Sequence, residues 1–154
     1  MAGITLLWLA PGGGRAMPAV TLPTLEGDSL DLGGLRGRPL LVTFWASDCS
    51  SCLEEIPHLN ALHRDYGQRG VEVIGIAMHY DPAREVARTA ERRGIAYTVA
   101  LDREGEAAEG FGNVQLTPTT FLVSPKGRIV YQKMGPPDWE RVEGNLKDWL
   151  TERA

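Results

Sequence analysis

The chain has 154 residues, with 16 Lys and Arg against 20 Asp and Glu, for a net charge of −4. At 43% hydrophobic and 23% charged, it holds enough apolar surface for one packed domain, and its composition is not that of a disordered chain. No Lys/Arg-rich run marks a nucleic-acid partner, and the longest apolar runs, at 4–10 and 40–46, are too short to span a bilayer.

Residues 4–10 (ITLLWLA) are apolar and lead into Pro11-Gly12-Gly13-Gly14. A signal peptide carries a positive n-region, and Met1-Ala2-Gly3 has no basic side chain, so localisation is not read from a targeting signal here. The segment reads equally as the remnant of an export or anchor segment, an expression remnant, or an N-terminal strand. Residues 1–17 are therefore set apart from a single domain at 18–154. Segments 20–22 and 29–32 alternate polar and apolar positions around Glu26-Gly27-Asp28, which predicts a β-hairpin. Residues 40–46 (LLVTFWA) are nearly all apolar and β-prone, as in a strand buried on both faces. Cys52, Ile56, Leu59, Leu62 and Tyr66 then recur at helical spacing until Gly67 and Gly70. Pro57 inside this helix removes one hydrogen bond and predicts a kink.

Residues 71–78 predict a second buried strand. Asp81 reads as an N-cap and Pro82 as the first position of a helix that ends at Gly94. Its buried face would carry Val86, Ala87 and Ala90. A short strand at 97–101 and a short helix at 104–111 follow. Strands at 119–124 and 128–133 form a hairpin through Pro125-Lys126-Gly127. Asp138 caps a last helix with the apolar stripe Trp139, Val142, Leu146, Trp149 and Leu150. Buried strands alternating with helices predict an α/β architecture with a parallel or mixed sheet covered on both faces.

Only two cysteines are present, Cys49 and Cys52. They close so small a loop that a bond between them stabilises the fold little, which invites a chemical explanation. The pair falls where a buried strand gives way to a helix. Residues three apart in a first helical turn are close enough for a disulfide. At the helix N-terminus, unpaired N–H groups and the helix dipole stabilise a Cys49 thiolate, the nucleophile of disulfide exchange. Cys52, one turn inside, suits a resolving thiol.

Phe44-Trp45-Ala46-Ser47, the CxxC and Glu55-x-Pro57 resemble the TlpA/ResA family of thioredoxin-like, extracytoplasmic thiol-disulfide oxidoreductases. So do Leu22-Pro23-Thr24-Leu25-Glu26-Gly27, Leu35-Arg36-Gly37 and Thr117-Pro118-Thr119-Thr120-Phe121-Leu122, in the same order and over nearly all of 18–150. The resemblance implies a thioredoxin-like three-layer α/β/α sandwich with a mixed sheet and an N-terminal β-hairpin. It implies Cys49 as attacking thiol, Cys52 as resolving thiol and Glu55 as a buried acid that exchanges a proton with Cys52. Pro118 would be a cis-proline facing the disulfide, and Thr117 would offer its backbone to an extended substrate. Trp45 and Asp48 complete the expected substrate surface, Trp45 mainly by packing over the pair. Expected partners are proteins bearing disulfides or dithiols and a separate thiol electron donor. The domain itself is expected to be a soluble monomer without cofactor or metal, in an extracytoplasmic bacterial setting. Apocytochrome maturation is one task the family suggests.

Two positions depart from the family pattern. Asp48 stands where the family has Trp before the first cysteine, and Ser51 where it has Pro before the second. A carboxylate beside Cys49 disfavours the thiolate, which favours the disulfide form and makes the couple more reducing. Thr43 stands where cytoplasmic thioredoxins carry a buried Asp, leaving Glu55 as the one obvious internal acid. Other chemistries have weaker support. His58 and His63 follow Cys52 at spacings of six and five, which do not keep four zinc ligands on one face. Met78-His79 with the cysteines would suit a thioredoxin-fold copper-binding or chaperone module. A thiol peroxidase wants Thr three residues before its reactive cysteine, where this chain has Ala46. The Arg88, Arg92 and Arg93 cluster reads as a solvated helix face.

Overall fold

A computed structural model describes residues 14–152. The N-terminal run at 4–10 lies outside the described residues. The strands are β1 (Arg15–Ala16), β2 (Thr21–Pro23), β3 (Ser29–Asp31), β4 (Leu40–Trp45), β5 (Glu72–Ala77), β6 (Thr98–Leu101), β7 (Thr119–Val123) and β8 (Arg128–Met134). The helices are α1 (Ser50–Tyr66), α2 (Ala83–Arg93), α3 (Glu106–Gly110) and α4 (Trp139–Glu152).

One six-stranded sheet runs β1-β8-β7-β4-β5-β6, and β2–β3 form a separate hairpin. β4, β5 and β6 are parallel, whereas β7 pairs antiparallel with β4, and β8 with β7 and β1. The sheet is therefore mixed. β4 is central and every one of its residues is buried, as its unbroken apolar run requires.

Alternate residues of β4 supply two cores. Val42 and Phe44 point to one face, with Ile74, Ile76, Phe121 and Val123, where α3 and the hairpin residue Leu22 cover them. Phe44, Phe111 and Phe121 meet there as an aromatic trio, with ring centroids 4.8 to 5.8 Å apart. Leu41 points to the other face, with Val73, Leu122 and Tyr131, beneath Leu59 and Leu62 of α1 and Val142 and Leu146 of α4. Toward the C-terminal end of β4, Trp45 packs on this second face with Cys52, Ala77, Val86 of α2, Val99 and Leu101. Helices on both faces of a mixed sheet make the expected three-layer sandwich. His58 of α1 stacks on Trp139 of α4, with centroids 3.9 Å apart, and ties the two helices of one layer together.

Several local expectations shift. β1 is an additional edge strand, and Met17 beside it is buried in the core. α1 spans 17 residues with Pro57 inside it, as the apolar spacing predicts. α2 begins after Pro82 with no side-chain cap, because Asp81 is used elsewhere. Its buried residues are Val86 and Thr89, three apart, while Ala87 is exposed. α3 starts only at Glu106, since Gly105 is left-handed at φ 74°. The buried Asp102 carboxylate caps it, accepting the N–H groups of Ala107 and Ala108 at 2.9 Å each.

Candidate active site

β4 ends at Trp45, and the chain turns through Ala46-Ser47-Asp48 into α1. The turn is closed by Cys49 N–H donating to Ala46 O at 3.2 Å. Cys49 is the N-cap of α1, with extended backbone at φ −97° and ψ 106°. The Cys52 N–H donates to its Sγ at 3.3 Å. One of the orphan donors of the first helical turn is thus aimed at the sulfur that needs a negative charge to react. Cys49 and Cys52 are joined as a disulfide with Cα atoms 5.2 Å apart, inside the range such bonds require. Cys49 is partly exposed and Cys52 is 3% exposed. Only the first sulfur is open to a large partner.

Trp45 is 4% exposed and packs with both cysteines. Its room comes from Gly75 on β5. A Cβ there would stand 3.0 Å from Trp45 Nε1 and 3.2 Å from Tyr97 Cε2. Asp48 is exposed in the turn, and among the described residues it takes part in no ion pair within 4.0 Å.

The Thr117–Pro118 peptide is cis. Thr119 is the β7 residue paired with Phe44, so Pro118 lies one step further, beside the end of β4 from which the cysteine turn departs. Pro118 is buried and Thr117 half-buried. The Gly135 N–H donates to Pro118 O at 2.7 Å, and Thr119 Oγ1 donates to Leu116 O at 2.6 Å. Leu116 and Met134, flanking this loop, are 62% and 64% exposed.

Glu55 follows Cys52 by three positions, so the two side chains share a helix face. It is 7% exposed, and its Oε1 has no hydrogen-bond partner. Burial without compensating donors pushes its carboxyl from 4.5 up to about 7. The sheet beneath carries further buried polar atoms without partners: Thr43 Oγ1, Thr120 Oγ1 and Trp45 Nε1. Thr43 is in register with Thr120 on one side and Gly75 on the other. Tyr97 adjoins this region, and burial together with the Glu55 carboxylate pushes its hydroxyl well above the usual phenol range.

The structure therefore gathers Trp45, Cys49, Cys52 and, by register, Pro118 at one end of the sheet. The alternative metal sets do not converge in the same way. Met78 packs in the core on the opposite face from Cys52, and His58 is held against Trp139. No helix among the described residues is long and apolar enough to cross a membrane.

A family model described as Redoxin matches residues 13–150. The chain belongs to the redoxin family. Among curated redoxin relatives, the thiol-disulfide oxidoreductase ResA of Bacillus thuringiensis is 33% identical over 135 residues, which cover 87% of this chain and 76% of that protein. ResA of Halalkalibacterium halodurans is 32% identical, over 88% of this chain and 75% of that one. Two solved structures share the fold. A thioredoxin-family thiol:disulfide interchange protein from Chlorobium tepidum has a TM-score of 0.78 at 25% identity, covering 92% of this chain and 99% of its own. A Neisseria meningitidis protein described as a thioredoxin has a TM-score of 0.81 at 27% identity, covering 90% and 92%. This redoxin is a thiol-disulfide oxidoreductase with a thioredoxin-like fold, similar to ResA.

Three further residues bear on the site, and two of them, Asp81 and Tyr97, carry no signal of that role in the sequence pattern. Asp81 reaches back to Ser47, a contact between positions 34 apart with no local signature. Tyr97 has the pattern of an ordinary strand residue. Gly75 sits inside an apolar strand, and a glycine there is a signal of close approach by another group.

Proposed function

We propose that the domain reduces disulfides of partner proteins, with Cys49 as nucleophile, Cys52 as resolving thiol and Glu55 as its proton acceptor. The Cys49 thiolate attacks one sulfur of a partner disulfide, forming a mixed disulfide and releasing the other sulfur as a thiolate. Cys52 then gives its proton to Glu55 and attacks Cys49 Sγ. The second partner thiol leaves, and the Cys49–Cys52 disulfide forms. The partner gains two electrons and two protons. A separate dithiol donor restores the reduced pair.

The observation that carries this reading is the difference between the two sulfurs and what lies behind the second. Cys49 is accessible and accepts a helix N–H, whereas Cys52 is buried on the same helix face as Glu55. A carboxyl poised at about 7 is suited to take and return a proton at neutral pH. Trp45 shields the pair. Pro118 and the Thr117 backbone offer the partner segment an extended edge, and Asp48 favours the disulfide form and so makes the couple more reducing. The setting is extracytoplasmic and bacterial, as in the TlpA/ResA family, with apocytochrome maturation as one task.

The test is trapping. A Cys52→Ser variant should accumulate mixed disulfides with partner proteins through Cys49, and these should dissolve on reduction. Cys49→Ser should accumulate none. Equal trapping by both variants, or by neither, would refute the assigned roles.

A further inference from the structure

β4 and β5 run parallel, and their ladder reaches its last backbone rung where the Met78 N–H donates to Trp45 O at 3.0 Å. One more rung of the same pattern would take the Ser47 N–H to the Met78 carbonyl. That carbonyl is already engaged: the chain turns away from the sheet, and Asp81 N–H donates to Met78 O at 3.0 Å. The Asp81 side chain fills the missing rung. Its Oδ2 accepts the Ser47 N–H at 2.6 Å and its Oδ1 accepts the Ser47 hydroxyl at 2.7 Å. Both are short, charge-assisted bonds in a part-buried place.

Ser47 is the second residue of the turn that Cys49 N–H closes onto Ala46 O. Fixing Ser47 at two atoms therefore fixes that turn, and with it the direction from which Cys49 enters α1. We propose that Asp81 is a positioning residue for the redox pair: it latches the Ala46-Ser47-Asp48 turn to the end of β5, so that the Cys49 sulfur is held at the α1 N-terminus and presented to partners. This rests on the reading of Cys49 as the attacking thiol. The energetic reason is that a part-buried N–H left without a partner favours a rearranged turn. A displacement of the nucleophile by about 1 Å lowers reaction rates far more than it lowers stability. Asp81 also borders a groove of about 300 Å³ beside the turn, with Asp48, Tyr80, Glu85 and Arg92 among its lining residues. Loosening the turn would reshape the surface next to Cys49 as well as the sulfur itself.

The test uses the reduced full chain and an aromatic disulfide that releases a coloured thiolate. It is run at a pH high enough that Cys49 is fully ionised, so that thiolate population does not enter. Asp81→Ala should slow the attack about tenfold. Asp81→Asn keeps the acceptor for the Ser47 N–H and offers a donor to its hydroxyl, so it should return the rate to within about threefold of wild type. A purely structural role would lower the melting temperature of both variants without this split in rate. An Asp81→Ala rate equal to wild type overturns the inference, as does an Asp81→Asn rate as slow as that of Ala. If Asp81→Ala does not fold, Ser47→Ala carries the test. It removes only the hydroxyl arm and should cost about threefold, and an unchanged rate overturns the latch. Absence of exchange by the wild-type protein would instead overturn the assignment of Cys49, and the positioning role that rests on it.

Discussion

Glu55→Gln should make the protein more stable at alkaline pH while impairing the resolving step. The Glu55 carboxyl is buried, has no hydrogen-bond partner at Oε1, and is pushed from 4.5 up to about 7. Since each tenfold change in proton affinity is worth 1.36 kcal/mol, this rise corresponds to about 3 kcal/mol of penalty on the charged form in the folded state. Because the folded value lies above the unfolded one, the native state holds the proton more tightly. Stability is full below about pH 4.5, falls as pH rises, and has lost about 3 kcal/mol above about pH 7. Gln is neutral throughout and close in shape to the protonated acid. Urea unfolding of the oxidised protein, followed by tryptophan fluorescence, should give nearly equal stabilities for wild type and Glu55→Gln at pH 4.5. At pH 8.5 the variant should be ahead by about 3 kcal/mol. The same variant loses the proton acceptor for Cys52, so release of a preformed mixed disulfide should slow by about 100-fold at neutral pH. A stability difference that does not change with pH would refute the burial account of Glu55. An unchanged release rate would refute its role at Cys52.

Asp48→Asn removes the charge beside Cys49, so the Cys49 thiol should become more acidic and the couple less reducing, by roughly 10–30 mV in redox-buffer equilibration. Gly75→Ala places a methyl 3.0 Å from Trp45 Nε1 and 3.2 Å from Tyr97. It should destabilise the fold by about 1–3 kcal/mol in denaturant unfolding and perturb Trp45 fluorescence, since both neighbours are packed in place. Asn60→Ala removes the side chain that donates to Gly94 O and accepts from Ala96 N, both at 2.9 Å, and so ties α1 to the start of the 95–98 segment. That loss should cost about 1–2 kcal/mol, with the rate of disulfide exchange unaltered.

The order of strands and helices is legible in the sequence because the decisive patterns are local and strong. An unbroken apolar run at 40–46 suits a central strand, and the Cys52-to-Tyr66 spacing suits a long helix. Their junction therefore places the redox pair at a helix N-terminus from the amino-acid pattern alone. What is not legible depends on contacts between distant positions. Asp81-Pro82 has the composition of a helix start, yet the carboxylate is worth more as the last rung of the β4–β5 ladder, and α2 goes without a side-chain cap. Ala87 fits the apolar side of α2 by type, but the helix is rotated so that Val86 and Thr89 are buried, and a small alanine exerts little pull on that rotation. Arg15–Ala16 is too short to show a period, and it becomes a strand only because β8 offers an open edge. The motif points to Glu55 as an acid. Its burial without a partner at Oε1, which raises its proton affinity, follows from how α1 packs on the sheet and has no local signature.

The central claim is that Cys49 and Cys52 form a reducing couple. Equilibrating the protein in dithiothreitol buffers and trapping its thiols measures this directly. The expected result is a reversible two-electron couple at or below about −270 mV. A value of about −120 to −180 mV, typical of oxidants and isomerases, would contradict the reducing direction and the effect assigned to Asp48. The absence of any reversible disulfide would contradict the redox role itself.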